Sequence, residues 1–293
     1  MKRVLVTGSE GFIGKSLCNQ LIQMRNSYEM FTMDKLGSGK KHVRADIAFD
    51  DFSKMIQQIN PEVVLHLAGN VSVPFSIKSP LEDFNVNAKG TLNLLLALES
   101  TVCRNFIFVT SGGAIYDPNT PMPFSETSPI NPISPYGLSK YVAEGYVRVL
   151  SELRHSNWSS LALSNVYGSI NDQKQGVVYR FWDDITKGVS PKIFGIDATR
   201  DFIHIDDVVS ALIKVIENPV NTRLNISSNI STRLEDLLNS IQEIMGSNLK
   251  PEILNLPRAE IAVSQLNNSK AQELLGWNPT IGLEIGLRRS LGL

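Results

Sequence analysis

This chain of 293 residues has few cysteines, few histidines and a net charge close to zero. It has two cysteines, four histidines and a formal net charge of −1. The near-neutral charge gives no electrostatic basis for binding nucleic acid or an anionic membrane. Cys18 and Cys103 lie inside apolar segments with no metal-like spacing around them. We therefore expect two buried thiols in a reducing cytoplasm, and no bound metal.

Long apolar runs and repeats are also missing. No stretch approaches the length of a transmembrane helix. The start, MKRVLVTGSEG, has basic residues, but its apolar run stops after three residues, which is too short for a secretory signal. The 42% hydrophobic and 19% charged content is typical of a soluble globular protein with a well-buried core.

What the chain does contain is an alternation of β-rich runs and helical patterns. This alternation predicts an α/β fold, a doubly wound parallel sheet covered by helices on both faces. After about residue 165 the order loosens, which predicts a smaller C-terminal lobe. Thr232 and Glu235 predict a capping box for a helix of that lobe. The predicted strands are 4–6, 29–33, 62–68, 105–110 and 160–164, and the predicted helices are 12–24, 51–59, 83–100, 135–151, 206–218, 232–245, 269–275 and 282–291.

A glycine-rich loop, VLVTGSEGFIG, separates the first strand from the first helix. Gly8 allows a tight turn, Gly11 lets backbone approach a pyrophosphate, and Gly14 allows close helix–sheet packing. The helix then begins at Phe12 and Ile13 with its N-terminus facing the anion. Alone such a motif is weak, but a strand before it and a helix after it favour dinucleotide binding.

An acid follows at the end of the second strand. Asp34 stands 20 residues beyond Gly14, where a carboxylate would accept the ribose hydroxyls of NAD and repel the 2′-phosphate of NADP. A simple turn residue is the alternative. Lys35, Lys40 and Lys41 lie nearby and would weaken the preference for NAD over NADP, although a solvated basic loop explains these lysines better.

Residues 134–145 read SPYGLSKYVAEG. Ser134 can cap free backbone N–H groups and Pro135 suits the first helical position, so a helix should begin here. Tyr136 and Lys140 would lie one turn apart on one face. The same pattern fits an ordinary amphipathic helix, and alone it does not identify a catalytic pair.

Eight short motifs in order resemble the extended short-chain dehydrogenase/reductase family, in its nucleotide-sugar epimerase/dehydratase branch. The resemblance covers effectively the whole chain and implies a Rossmann-type NAD-binding domain over 1–167. It also implies a mainly substrate-binding lobe over 168–293, from which about 200–226 returns to the sheet. The motifs are TGSEGFIG (7–14), RADI (44–47), HLAG (66–69), VNAKGT (86–91), VTSGGAIY (109–116), YGLSK (136–140), LSNVYG (163–168) and RDFIHIDD (200–207).

The resemblance also assigns roles to single residues. Tyr136 becomes the catalytic acid/base, and Lys140 lowers its pKa and holds the nicotinamide ribose. The other implied NAD contacts are Asp46 and Ile47 at the adenine end, Ala68 and Gly69 beyond the fourth strand, and Asn87, which holds local backbone. The implied substrate contacts are Asn165, Arg200 and Arg258, with surface salt bridges as the alternative for both arginines. His66 and His204 have no partner at catalytic spacing and are interpreted as structural.

The loop VTSGGAIY departs from the family pattern. Relatives usually carry a serine or threonine four residues before the tyrosine of this loop, and here that position is Gly112. An oxygen that gains charge in a dry site needs a donor, so we predict that Ser111 replaces the missing hydroxyl and that Gly112→Ser is tolerated. A serine that only caps the strand end is the alternative. Dehydration is not expected, because the family's Thr-Asp-Glu triplet is absent here.

Three functions remain open on the sequence. The first is an NAD-dependent nucleotide-sugar 4-epimerase that works through a transient 4-keto sugar. The second is an NAD(P)H-dependent reductase of a nucleotide 4-keto-6-deoxy sugar, and the third is a non-catalytic nucleotide-sugar sensor. The family resemblance further implies a homodimer in which the helices at 83–100 and 135–151 pair with their copies.

Overall fold

A computed structural model describes residues 1–171 and 175–292 of the protein. Its strands in chain order are β1 (Lys2–Thr7), β2 (Tyr28–Asp34), β3 (His42–Arg44), β4 (Val63–His66), β5 (Asn105–Ser111), β6 (Asn157–Leu163), β7 (Asn165–Tyr167), β8 (Lys192–Phe194), β9 (Thr199–His204), β10 (Arg223–Ile226), β11 (Ser231–Arg233) and β12 (Glu252–Leu254). Seven of them form a parallel sheet in the order β10-β6-β5-β4-β1-β2-β3.

The protein's helices cover both faces of this sheet or belong to a smaller lobe. They are α1 (Phe12–Gln23), α2 (Ser53–Ile59), α3 (Val73–Lys78), α4 (Pro80–Phe84), α5 (Gly90–Ala97), α6 (Gly112–Ile115), α7 (Pro135–Leu153), α8 (Gly176–Thr186), α9 (Ile205–Glu217), α10 (Leu234–Met245), α11 (Ser269–Leu275) and α12 (Leu283–Leu291). A π-helical turn, Asn85–Lys89, joins α4 to α5.

The alternation of side chains along the strands divides the core into two layers. Val4 and Val6 of β1 pack against α1, α9 and α11 on one face. Leu5, between them, packs against α2, α5 and α7 on the other face. The predicted doubly wound parallel sheet is therefore confirmed.

A smaller lobe has its own core, built from α8, α10, α12 and the short strands β7, β8 and β9. β9 lies between β7 and β11 in a separate three-stranded sheet. β10, later in the chain, returns to the edge of the large sheet beside β6. The division at residue 167 remains a prediction.

The structure corrects two predicted helix boundaries. The continuous helix over 83–100 is interrupted by the π-helical turn, which begins at Asn85 and carries the buried side chain of Asn87. The prediction that Thr232 and Glu235 form a capping box is wrong. Residues 231–233 pair with β9 instead, and α10 begins after Arg233 without a side-chain cap.

The start of α7 agrees with its sequence. Ser134 Oγ accepts a hydrogen bond from Gly137 N–H at 3.1 Å, and Pro135 is the first helical residue. This cap fixes the position of Tyr136 within the first turn.

Both cysteines are free thiols. Cys18 is buried, whereas Cys103 is only partly buried, which corrects the expectation that both are fully inside. Burial raises the pKa of each thiol to about 11. No helix in the described part of the chain is long and apolar enough to cross a membrane.

Candidate active site

The glycine loop packs too closely for any other residue at its key positions. Gly8 has φ 71°, and a Cβ there would lie 2.5 Å from Ala68 N. A Cβ on Gly14 would overlap Gly8 O. Gly11 is the N-cap of α1 and has no side chain that could cap the helix. The backbone N–H groups of the first helical turn therefore remain available to a ligand. These features fit a bound pyrophosphate.

A second observation in the loop fits the same ligand. Ser9 Oγ is buried and has no hydrogen-bond partner among the described residues. Phe12 and Ile13 open α1 and pack against the core under the loop. The residues of this loop therefore fit the dinucleotide that the sequence predicts.

Asp34 ends β2 beside the glycine loop. Its Oδ2 accepts a hydrogen bond from Glu10 N–H at 3.0 Å, and its Oδ1 accepts one from Leu36 N–H at 3.1 Å. The carboxylate thus ties the loop to the end of β2, at the edge of the sheet where a dinucleotide's ribose lies in this fold. Its role in choosing NAD remains a prediction.

Asp46 and Ile47 follow β3 at the same edge. Asp46 Oδ1 accepts from Ala48 N–H at 2.9 Å. Ile47 is buried against Gly90, where a Cβ would come within 2.8 Å of Ile47 Cγ1. Ile47 therefore packs against the start of α5 and Asp46 shapes the turn, and their contact with the adenine end of NAD stays a prediction.

The histidine of β4 is a buried bridge. His66 Nδ1 lies 2.7 Å from Thr7 Oγ1 and its Nε2 lies 2.9 Å from Thr91 Oγ1. Burial lowers its pKa to about 3, so the ring is neutral. Thr91 Oγ1 donates to Asn87 O, which leaves it to accept from His66 Nε2–H. His66 is structural, linking β1 and β4 to the π-helical turn.

Asn87 occupies the centre of the π-helical turn. Its Oδ1 accepts from Asn70 N–H at 2.8 Å and holds the backbone that follows Ala68 and Gly69. A Cβ on Gly69 would lie 2.8 Å from that oxygen and 3.7 Å from Lys140 Nζ. Only glycine allows the loop after β4 to approach Asn87 and Lys140 this closely.

Tyr136 and Lys140 are both buried on α7, on the side of the sheet's carboxyl edge. Burial raises the pKa of Tyr136 to about 12, and a hydrogen bond with the Ser111 side chain opposes that rise. Burial lowers the pKa of Lys140 to about 8. Lys140 Nζ lies 4.2 Å from the centre of the Phe108 ring. Desolvation is therefore the largest influence on the phenol pKa in the protein alone. That Lys140 lowers this pKa stays a prediction.

Ser111 ends β5, and its side chain forms a hydrogen bond with Tyr136. A side chain at position 112 would be directed away from Tyr136. A Cβ on Gly112 would overlap Leu266 Cδ1, and Leu266 is completely buried. A Cβ on Gly113 would face Ser264 Oγ at 3.6 Å and Asn165 Oδ1 at 4.0 Å. The expectation that Gly112→Ser is tolerated is therefore wrong, since residue 112 faces the core while its two neighbours line a cavity.

That cavity has a volume of about 590 Å³ and joins the sheet to the smaller lobe. Tyr136, Ser111 and Asn165 line its inner end. Among the residues that the structure describes, its charged lining consists of three cations, Arg180, Lys192 and Arg200, and one acid, Glu260. This excess of positive charge suits an anionic ligand.

Arg200 is held by backbone as well as by charge. Its Nη1 donates to Thr199 O at 2.9 Å and to Ala262 O at 3.0 Å, and its Nη2 lies 3.8 Å from Glu260 Oε2. Arg258 is not brought to the cavity. Its side chain is exposed, and Ala259 and Glu260 line the wall instead.

Sequence reasoning missed several groups at this site. Ser264 Oγ is buried, lacks a hydrogen-bond partner within the described chain and lines the cavity. Asp83 and Ser139 form a buried polar cluster with Asn87 behind Lys140. Ser264 and Asp83 stand in no motif with a recognisable spacing, and the motif that contains Ser139 points only to Tyr136 and Lys140, so only the fold brings these residues together. No group of three or more His, Cys, Asp or Glu suited to a metal occurs in the described ranges.

The sequence of residues 4–230 matches the model of the "NAD dependent epimerase/dehydratase family". The chain belongs to this family. It is 37% identical over 298 residues to a putative UDP-glucose 4-epimerase of Methanocaldococcus jannaschii, covering 98% of this chain and 96% of the relative. It is 28% identical over 300 residues to a dTDP-4-dehydro-6-deoxyglucose reductase of Escherichia coli, covering 97% of this chain and 95% of the relative.

A solved structure agrees with this family placement. The crystal structure of UDP-glucose 4-epimerase from Thermotoga maritima with UDP-glucose superposes with a TM-score of 0.91 at 33% identity, covering 99% of this chain and 97% of that one. Membership of an NAD-dependent family accounts for the glycine loop, the acid at the end of β2 and the Tyr–Lys pair on α7.

Proposed function

We propose that the protein is an NAD-dependent 4-epimerase of a nucleotide-activated hexose, with UDP-glucose and UDP-galactose as the first pair to test. The observation that carries the proposal is the meeting of Tyr136, Ser111 and Arg200 on one cavity. A general acid/base, a hydrogen-bond donor to the reacting oxygen and a side chain that binds the diphosphate would then surround one substrate. Relatives named as UDP-glucose 4-epimerases support the choice of sugar.

The residues act on the C4 hydroxyl. Tyr136 Oη accepts the proton of this hydroxyl and later returns it, while Ser111 Oγ donates a hydrogen bond to the same oxygen. Lys140 Nζ, next to Gly69, would hold the nicotinamide ribose and favour the phenolate. NAD, when bound, would supply the hydride acceptor and donor for C4 and a positive charge that also favours the phenolate.

The cavity wall holds the rest of the substrate. Arg200 is positioned for the diphosphate by two carbonyl oxygens, and Arg180 and Lys192 add positive charge nearby. Asn165 and Ser264 face the sugar beside Gly113, where the lack of a side chain leaves room for the 4-keto sugar to turn.

A reductase of a nucleotide 4-keto-6-deoxy sugar is the second candidate, and the Escherichia coli relative favours it. Both reactions would use Tyr136 and Lys140, but a reductase consumes one reduced cofactor in each turnover. The intact acid/base pair and glycine loop speak against a sensor without activity.

Incubating the purified protein with UDP-glucose, without a reductant, separates these candidates. Proton NMR should show UDP-galactose accumulating to a fixed ratio that the reverse reaction also reaches. Tyr136→Phe should slow this by at least the ~10²-fold expected for loss of a general acid/base, with folding intact. Turnover that begins only when NADH or NADPH is added to a 4-keto sugar would favour the reductase.

A homodimer is the second part of the proposal. The helix α7 exposes Leu138, Val149 and Leu153, the last of them 71% exposed, around Gly145, which has open space above it. The adjacent helix α4 exposes Leu81 and Phe84. Two neighbouring helices with apolar outer faces fit a second copy of the same surface.

A further inference from the structure

A fully buried carboxylate lies behind the Tyr–Lys pair. Asp83 of α4 is completely inaccessible to solvent. Its Oδ2 accepts from Ser139 Oγ at 2.6 Å and its Oδ1 from Asn87 Nδ2 at 3.1 Å. No cation lies within ion-pair distance of it among the residues described. A buried charge with only neutral donors is costly unless a charge nearby compensates it.

The donors to Asp83 are built into the site. Ser139 lies between Tyr136 and Lys140 on α7, and its Oγ accepts from Asn87 Nδ2 at 3.1 Å. The other end of Asn87 holds Asn70 N–H. Asp83 therefore connects α4, the π-helical turn and the catalytic turn of α7 through two hydrogen bonds.

Burial raises the pKa of Asp83, and the hydrogen bonds from Ser139 and Asn87 and the charge of Lys140, the residue after Ser139 on α7, act against that rise. Burial lowers the pKa of Lys140 to about 8, and the charges of Asp83 and Glu144 act against that fall. Glu144 is already paired with Arg223 through bonds of 2.8 and 2.9 Å. Two further side chains lie near Lys140. His66 on β4 has a neutral ring because its pKa is about 3, and Phe108 on β5 is uncharged.

The charge of Asp83 also acts on Tyr136, where it raises the pKa of the phenol. Among the groups around Lys140, Asp83 is thus the carboxylate without a paired cation. We propose that Asp83 is a positioning residue whose buried charge keeps Lys140 in the ammonium form and whose hydrogen bonds orient α7. The use of Lys140 in turnover rests on the proposed function, whereas its ionisation does not.

Asp83→Asn tests the charge with little change of shape. In this variant the new side-chain amide can accept from Asn87 and donate to Ser139 Oγ, while Ser139 turns its own hydrogen to Tyr136 O, which lies 3.0 Å away. The donors of Asn87 and Ser139 stay satisfied. The measurement is a pH titration by carbon NMR of cofactor-free protein labelled at lysine Cε, with the Lys140 signal assigned by its loss in Lys140→Met.

Removing a negative charge disfavours the ammonium, so the Lys140 midpoint should move down from its parental value by about one pH unit. Glu82→Gln is the matched control, because it makes the same acid-to-amide change at the exposed neighbouring position. It should leave the midpoint in place. The assay needs no turnover, so failure of the epimerase assay would leave this result interpretable.

An Asp83→Asn protein that folds and keeps the Lys140 midpoint within about 0.2 unit of the parent would overturn the proposal. If this variant does not fold, Asp83→Ala replaces it, because it also removes the charge. It should lower the Lys140 midpoint in the same direction, and an unmoved midpoint there would overturn the proposal equally.

Discussion

At the scale of single residues, the side chains of Ser111 and Tyr136 are hydrogen-bonded, and the proposed function has both of them act on one oxygen of the substrate. Tyr136 lies in a buried position where the protein alone raises its pKa to about 12, and the Ser111 hydroxyl works against that rise. A phenol that must exchange a proton at neutral pH needs such help. The neighbour Thr110 carries a buried hydroxyl too, but its Oγ1 has no partner in the described structure and it does not line the cavity.

Ser111→Ala should lower the rate of epimerisation by roughly 10- to 100-fold, the loss of one donor to an oxygen gaining charge. Thr110→Val is the matched control, because it removes a hydroxyl from the adjacent position of β5 while keeping the shape. It should retain the parental rate. Single-turnover kinetics with saturating substrate measure both. Equal rates for the two variants would mean that another group holds the oxygen.

How much of the site the sequence predicts depends on whether its residues stand in a spaced motif. Tyr136, Lys140 and Ser111 come from two short motifs, and the structure brings all three together. Asp83 and Ser264 stand in no such pattern. Their positions depend on how α4 and the segment before α11 pack, which local spacing does not encode.

At the scale of elements, the start of α7 follows from local chemistry and the interruption before α5 does not. The cap of Ser134 and the first-turn Pro135 are local signals that need no tertiary partner. The π-helical turn at Asn85–Lys89 is stabilised by contacts of Asn87 with Ser139 and Asn70, which lie far along the chain or across a loop. Thr232 fails as a cap for a related reason, since pairing with β9 competes for its backbone.

The two glycines after β5 should respond in opposite ways to the same substitution. Gly112→Ser should destabilise the fold by about 1–3 kcal/mol, because its Cβ overlaps the buried Leu266. Gly113→Ser meets only ordinary contacts and should fold normally. It should instead narrow the sugar end of the cavity and raise KM.

Urea unfolding and steady-state kinetics of both variants check this pair. A Gly112→Ser protein as stable as the parent, or a Gly113→Ser protein with unchanged KM, would show that the loop is positioned differently from this account.

At the scale of the whole molecule, the apolar outer faces of α4 and α7 predict the assembly. Leu153→Glu places a charge on a 71% exposed leucine of that face. It should convert the dimer to a monomer at micromolar concentration, because an unpaired charge is costly to bury at an interface. Ile230→Glu, at a 63% exposed isoleucine before β11, is the matched control and should leave the assembly unchanged.

Light scattering coupled to gel filtration measures both variants. A parental protein that is already monomeric, or a dimer that survives Leu153→Glu, would mean that this face is not the interface. The parallel sheet covered by helices on both faces follows from the strand–helix alternation, whereas its strand order does not. The homodimer rests on the family resemblance and on the apolar side chains that the fold leaves exposed.

The most direct test of the central claim follows the hydrogen at C4. A nucleotide hexose that carries deuterium at C4 is incubated with the protein in ordinary water, without added cofactor, and the epimer is analysed by NMR and mass spectrometry. If the hydride leaves C4 and returns to it within one closed site, the epimer keeps its deuterium at C4 and gains no hydrogen from water. Loss of the label to solvent, or an absolute need for added NADH, would contradict the account.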